Sequence, residues 1–337
     1  EKQSFTKYRE EEPAASGTFY FSSGKLLLDA CKWLVEKEEK INGEFYVSLL
    51  FNYFPLKGFR TLTYSIRYFM QWGTPQDLEE FIFFARKVPL KFKKNLISTP
   101  ILTLMAGKGN RMKSINKIKK PYLEINKNLL FQSCTRNFKS DKANILAISG
   151  DKEDLMNKQY LRDYEYFVVG QTKSSVETLS RAINSSKLSD QDSILILSCD
   201  AAIDLDWDNF VYENKNKTDC EAIVFSFKGY PYAYWNPDQY GWLKLNEDKS
   251  IRRICYKTGW NSEFSNPIVT SHFWFPCIGR LKSNLKNFNK TLGINSKEQS
   301  LDEFCQFLIE NDKKVYSHVV DDFLCLGTPQ EFRTYEY

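Results

Sequence analysis

The chain holds only two histidines, His272 and His318, among 337 residues, and they fall in different apolar segments. That shortage removes most histidine-based catalytic triads and histidine-rich metal sites, so the chemistry must rest on carboxylates, lysines and arginines. No apolar run approaches the roughly 18 residues that a membrane-spanning helix needs, and the charged opening EKQSFTKYREEE is unlike a secretory signal. A cytoplasmic protein without a membrane partner is the expectation. The eight cysteines include no C-x-x-C pair, which argues against a zinc site and a disulfide framework and leaves them as small core residues. A net charge of +5 is mild, and lysines alternate with acids nearly throughout, so a nucleic-acid surface is not indicated.

Apolar material is plentiful. At 42% hydrophobic and 15% aromatic residues, a chain longer than one average domain can build a sizeable core in more than one unit. The sequence also repeats itself. GTFYF at 17–21 resembles SHFWF at 271–275, WGTPQDL at 72–78 resembles LGTPQEF at 326–332, and both pairs are 254 residues apart. At that interval Glu44 meets Glu298, Val47 meets Leu301, Leu50 meets Phe304 and Tyr53 meets Phe307, the three-and-four spacing of one helix face. Residues 1–97 therefore read as the back end of one unit and 98–337 as a second unit in full. The join ARKVPLKFKKNLISTP is basic, mostly polar and bounded by Pro89 and Pro100, as a linker should be. A start at Glu1 rather than Met suits a fragment or processed chain, with the first unit's front end upstream.

The second unit alternates strand and helix. ILTLMAG, NILAISG, EYFVVG and SILILSCD are apolar runs ending in Gly or Asp, and SSVETLSRAINSS carries Val176, Leu179 and Ile183 on one helical stripe. The pattern predicts an α/β fold, a doubly wound and mainly parallel sheet with helices on both faces, whose ligands sit beyond the carboxyl ends of the strands. Two chemically loaded segments lie at such ends: the loop after ILTLMAG, and Asp200.

That loop, LMAGKGNRMKSINKIKKP, carries six basic side chains and no acid. In Gly107-Lys108-Gly109-Asn110-Arg111 the glycines let backbone N–H groups approach an anion, Arg111 can fork onto phosphate oxygens, and Lys120-Pro121 adds a more rigid cation. The spacing fits neither the P-loop nor the dinucleotide-binding G-x-G-x-x-G. Alone, it would also suit a tight turn with solvated lysines.

In order along residues 99–337, however, several segments resemble the sugar-phosphate nucleotidyltransferases. LMAGKGNRM…KKP resembles their G-x-G-[ST]-R-[LM]…K-P loop. GQTKSSVETL looks like the segment that approaches the base, ILILSCDAAIDLDWDNF like the strand that ends in a metal-binding aspartate, YGWLKLNEDKSIRRICYK like the sugar pocket, and LGTPQEF like the closing turn. The resemblance implies phosphate and nucleotide contacts at Ala106, Gly107, Lys108, Gly109 and Arg111, and base contacts at Gln171, Thr172 and Ser174. It further implies cations acting on the reacting phosphates at Arg111, Lys120 and Lys257, sugar contacts at Tyr240, Gly241 and Lys257, and Mg²⁺ on Asp200.

Some positions depart from the pattern. Asn110 stands for Ser or Thr, Ser174-Ser175-Val176 for a Gly-Thr-Ala-like run, Tyr256 for the sugar-pocket Glu, and Cys325 for a second metal-binding aspartate. Asp204 or Asp206 could then assist Asp200, although with Asp208 they equally suit a solvated loop. The resemblance implies an activity that joins a nucleotide to a sugar 1-phosphate or similar phosphorylated small molecule with release of pyrophosphate, in the supply of precursors for surface polysaccharide. Two other readings stay open: a degenerate, non-catalytic copy that regulates or scaffolds, and a glycosyltransferase of related fold using Asp204-Leu205-Asp206. The expected partners are a nucleoside triphosphate and the phosphorylated acceptor, and a homo-oligomer is left open.

Overall fold

A computed structural model describes residues 12–66, 69–87, 92–109, 112, 118–125, 127–256, 266–292 and 299–336. The chain divides into two compact units, Glu1–Gln71 and Trp72–Tyr337. Expected parts of 1–97 and 98–337 would assign the helix at Pro75–Ala85 to the first; it packs within the second.

In the first unit, α1 (Gly24–Glu36) starts where the Ser23 hydroxyl accepts from the amide of Lys25. A 3₁₀ turn at Val47–Asn52 then runs into α2 (Tyr53–Leu56). Ala30, Leu34, Leu50 and Phe54 make its small core, rimmed by Phe21, Trp33 and Phe51. Segments 17–21 and 60–66 form no strand, although Leu62, Tyr64 and Ile66 keep an alternating apolar pattern and are 82%, 91% and 50% exposed. Helices satisfy their own backbone bonds and form from local sequence, whereas a strand needs a neighbour.

The second unit opens with α3 (Pro75–Ala85), β1 (Asn95–Ile97) and β2 (Ile101–Leu104). There follow β3 (Glu124–Ile125), β4 (Asn128–Leu129), α4 (Leu130–Thr135), β5 (Phe138–Ser140), β6 (Asn144–Ile148), α5 (Lys152–Met156) and β7 (Glu165–Val168). Next come α6 (Ser175–Ser185), β8 (Ile194–Ser198), β9 (Ala201–Asp204), α7 (Trp207–Asn214), β10 (Cys220–Phe227), α8 (Pro231–Trp235), β11 (Gly241–Leu245) and β12 (Ile251–Tyr256). The chain closes with β13 (Ile268–Phe275), α9 (Ile278–Leu292), α10 (Leu301–Glu310), β14 (Lys314–Val319), β15 (Asp322–Cys325) and α11 (Pro329–Glu336).

Among the described residues a nine-stranded sheet runs β12-β11-β13-β8-β2-β6-β7, with β10 branching from β13 and β14 pairing with β10. All four predicted strands, β2, β6, β7 and β8, lie side by side and parallel. Beyond β8 the sheet turns antiparallel through β13, β11 and β12. Alternate residues of the central strands enter opposite cores. Ile101, Leu195 and Leu197 pack with α4, α7 and α11, while Leu102 and Ile196 pack with α6, α9 and α10. Period-two alternation with both faces apolar is what a sheet covered on two sides requires. The predicted stripe of α6, Val176, Leu179 and Ile183, is buried as expected. The cysteines are free thiols.

Candidate active site

Four parallel strands deliver their carboxyl ends to one edge of the sheet. After β2 the chain buries Met105 and Ala106 and then surfaces at Gly107 and Lys108. Among the described residues nothing lies within 4 Å of the place where a side chain at Gly107 would begin, so they leave the backbone there open to an incoming group. Gly109 takes φ +58°, and a Cβ added to it would stand 3.0 Å from the Cβ of Lys120. Glycine is thus required twice over, for the left-handed backbone and for the close approach of loop to lysine. Asn110 and Arg111 lie outside the described residues, as does Lys257.

Lys120 begins a 3₁₀ turn held by Pro121. Its ammonium bonds Asp200 Oδ2, just past β8, and the carbonyl of Gly327 at 3.2 Å. Burial opposes its charge, but Asp200 outweighs that penalty and raises the pKa above the ordinary lysine value. Lys120 therefore keeps its proton. Asp200 accepts a further bond on Oδ1 from Ser198 Oγ, and its carbonyl holds the amide of Leu326 at 2.8 Å. A Cβ on Gly327 would sit 3.2 Å from both Asp200 Oδ2 and Cys325 Sγ. A side chain on residue 327 would therefore press on Asp200 and Cys325 and require them to shift.

Two neighbours, neither singled out in the sequence, fix this arrangement. The first is Lys119, whose ammonium binds Asp154 Oδ1 at 2.7 Å, Ser149 Oγ at 2.9 Å and Asp151 Oδ2 at 3.2 Å beyond β6. Tyr122 donates to the same Asp154 oxygen at 2.7 Å. Consecutive lysines are thus fastened to the ends of β6 and β8, spanning β2 between them. The doubled lysine before Pro121 was the available signal. The second is Glu331, fully buried on α11. It receives the hydroxyls of Tyr230 and, at 2.8 Å, Tyr240, and the amide of Thr328 at 2.9 Å. Its signal was the T-x-x-E spacing of a capping box. Burial first, then Glu331, raises the pKa of Tyr240, which stays a neutral donor.

Tyr240 thereby joins Gly109, Lys120, Asp200 and Gly327 in one linked set, with the carboxylate of Glu331 3.7 Å from the Cβ position at Gly327. Gly241 is different: a Cβ there would be 2.8 Å from Asp302 Oδ2, so this glycine makes room for the first turn of α10. Beyond β7, Gln171 is exposed, whereas Thr172 is buried with its hydroxyl 2.6 Å from that of Thr178. Ser174 caps α6, accepting from Glu177 N at 3.1 Å, and Ser175 accepts from Leu301 N at 3.1 Å.

Asp204 and Asp206 do not assist Asp200. Asp204 accepts from the amide of Lys93 at 2.7 Å, and Asp206 pairs with the Lys93 ammonium while capping α7. An acid before a helix start serves its free N–H groups, which is why D-x-D after a strand misleads here. Among the described residues no group of three or more His, Cys, Asp and Glu is arranged to hold a metal. Burial, then Glu331, pushes the Cys325 thiol well up, so it remains protonated beside Asp200. One carboxylate suffices for an ion that arrives with a triphosphate, because Mg²⁺ is usually held by one or two carboxylates plus substrate phosphates and water. The residues fit that case and not a protein-only cage.

The carboxyl edge of the sheet thus gathers a glycine loop, a buried lysine and its partner Asp200 in an α/β fold, at the place where such sheets bind ligands. The chain belongs to the family of the MobA-like NTP transferase domain, whose profile matches residues 101–283. Solved structures share the fold. A nucleoside-diphosphate-sugar pyrophosphorylase from Vibrio cholerae RC9 superposes with a TM-score of 0.52 at 14% identity, covering 70% of this chain and 99% of its own. The inositol-1-phosphate CTP transferase from T. maritima gives 0.51 at 13%, covering 71% and 95%. HddC from Yersinia pseudotuberculosis, complexed with GMP-PN, gives 0.51 at 14%, covering 71% and 98%. No curated protein matches the chain by sequence. No helix of the described residues is long and apolar enough to cross a membrane.

Proposed function

We propose that this NTP transferase domain joins the nucleoside monophosphate of an NTP to a sugar 1-phosphate or a similar phosphorylated small molecule. A phosphate oxygen of the acceptor attacks the α-phosphorus, the bond from that phosphorus to the bridging oxygen breaks, and pyrophosphate leaves with the electron pair. The attacking oxygen is already an anion, so no general base is needed. What must be supplied is positive charge in a dry, fixed place.

The linked set of Gly109, Lys120, Asp200 and Gly327 is the observation that carries this reading. Lys120 keeps its proton inside the protein, beside Asp200 at the carboxyl end of β8, where reacting phosphates would gather. Asp200 would hold Mg²⁺ together with those phosphates, and the ion would neutralise the leaving pyrophosphate. Arg111 and Lys257, outside the described residues, keep the phosphate-binding roles that the resemblance implies. Gly107 leaves its backbone open for the triphosphate, Gln171 is free to meet a base, and Tyr240 offers its edge to the acceptor.

A second reading has its own support. Thr172, Ser174 and Ser175 spend their hydroxyls inside the fold, both oxygens of Asp200 are engaged, and Cys325 is no ligand for a hard cation. These features suit a degenerate, non-catalytic copy that regulates or scaffolds. Calorimetric titration of the chain with each NTP and Mg²⁺, followed by assay for pyrophosphate with sugar 1-phosphates, separates the two. Binding with pyrophosphate release supports the enzyme; no heat with any NTP, or no release under every acceptor, supports the non-catalytic copy.

A further inference from the structure

Helices α3 and α11 begin at Pro75 and Pro329, the 254-residue interval at which the sequence repeats. They also begin alike. Asp77 N donates to Thr74 Oγ1 and Glu331 N to Thr328 Oγ1, and each acid accepts a bond back from its threonine's amide. Two other helical starts recur at the same spacing, Gly24 with Ile278 and Val47 with Leu301. Within the second unit α3 and α11 touch, and at the point of contact the Thr334 hydroxyl donates to Glu80 Oε1 at 2.5 Å. Glu80 and Thr334 are themselves 254 residues apart. Gln330 Nε2 reaches the other Glu80 oxygen at 3.5 Å.

Equivalent side chains meet where a rotation axis passes between two copies, and for a pair of helices the simplest is a two-fold. If a sideways shift related two copies of a helix, equivalent residues would point in the same direction, one toward its neighbour and the other away from it. A two-fold axis turns them face to face, as in an isologous interface. We infer that α3 and α11 form a homotypic pair about a local two-fold axis between Glu80 and Thr334. The face of α11 is thus a docking surface for the helix that follows its own repeat's Gly-Thr-Pro turn. The inference rests on the repeat and is independent of the proposed reaction.

Chemistry at the contact fits a recognition surface. The Tyr232 hydroxyl donates to the same Glu80 oxygen and lies 3.2 Å from the Thr334 hydroxyl, so two donors converge on one carboxylate at the contact. Beside it Phe84 packs edge-on against Tyr232 at 5.9 Å and Phe83 against Tyr230 at 5.2 Å. Tyr230 also donates to Glu331, so whatever docks on α11 bears on the carboxylate that holds Tyr240.

Exchange of the axial residues tests the symmetry. Glu80→Thr alone removes the acceptor, and Thr334→Glu alone sets two carboxylates together; each lowers the melting temperature of the full chain by roughly 2–4 °C. The double exchange restores the pair with roles reversed and returns to within about 1 °C of the parent. An exchange variant as unstable as the two losses added together overturns the inference. If a single variant does not fold, disulfide mapping by mass spectrometry decides. Glu80→Cys with Gln330→Cys and the mirror pair, Gln76→Cys with Thr334→Cys, link equally well; a link in the first pair without its mirror overturns the two-fold. Neither readout depends on activity, so the failure of one proposal leaves the other intact.

Discussion

Lys120 is a cation kept charged by its neighbours rather than by water, and that dependence runs in both directions. Lys120→Met strands Asp200 without its counter-charge, and Asp200→Asn strands the ammonium. Removing one partner of a buried pair costs about 3–5 kcal/mol, whereas removing both costs far less. Urea unfolding should therefore show the double variant more stable than Lys120→Met alone, with transfer activity absent from both. Equal stability would mean that the pair is solvated and not a fixed element of the site. Gly109→Ala should cost about 1 kcal/mol for its left-handed backbone and should lower kcat through the displaced Lys120. Gly109, Lys120 and Asp200 were legible because glycine spacing and an acid after an apolar strand state a chemistry locally. Lys119 and Glu331 were not, since their partners, Asp154 and Tyr240, are brought to them only by the fold.

At the scale of elements, α11 does more than end the chain's last turn. Its capping box is also the anchor of Tyr230 and Tyr240. Thr328→Ala should cost about 1 kcal/mol, the ordinary loss of a cap. Glu331→Gln should cost about 1–3 kcal/mol, because a buried carboxylate bonded to two phenols is replaced by a group that must also donate. Thermal unfolding of the two variants checks the order; a larger loss for Thr328→Ala would show that Glu331 is only a cap. The parallel strands were legible as apolar runs with terminal Gly or Asp. The antiparallel half was not, because β13 pairs with β8 across 77 residues, Phe273 against Ile196, and no local pattern records such a partner.

For the whole molecule, the scarce histidines set the acid limit. Burial lowers the pKa of His272 to about 4 from 6.5, and that of His318 likewise to about 4. Between those values the unfolded chain takes up protons that the folded chain refuses. Stability is thus complete above about pH 6.5 and falls as the pH drops toward 4, by on the order of 3 kcal/mol for His272. Urea midpoints should decline from pH 7.5 to pH 5, and His272→Gln should flatten the decline. The most direct test of the account is to incubate the chain with α-³²P-labelled NTPs, Mg²⁺ and a panel of sugar 1-phosphates, beside the Lys120→Met/Asp200→Asn double variant. The account predicts label in a nucleotide-diphospho product, with one pyrophosphate released per product by the parent chain and none by the folded variant. Equal product from both proteins would contradict it.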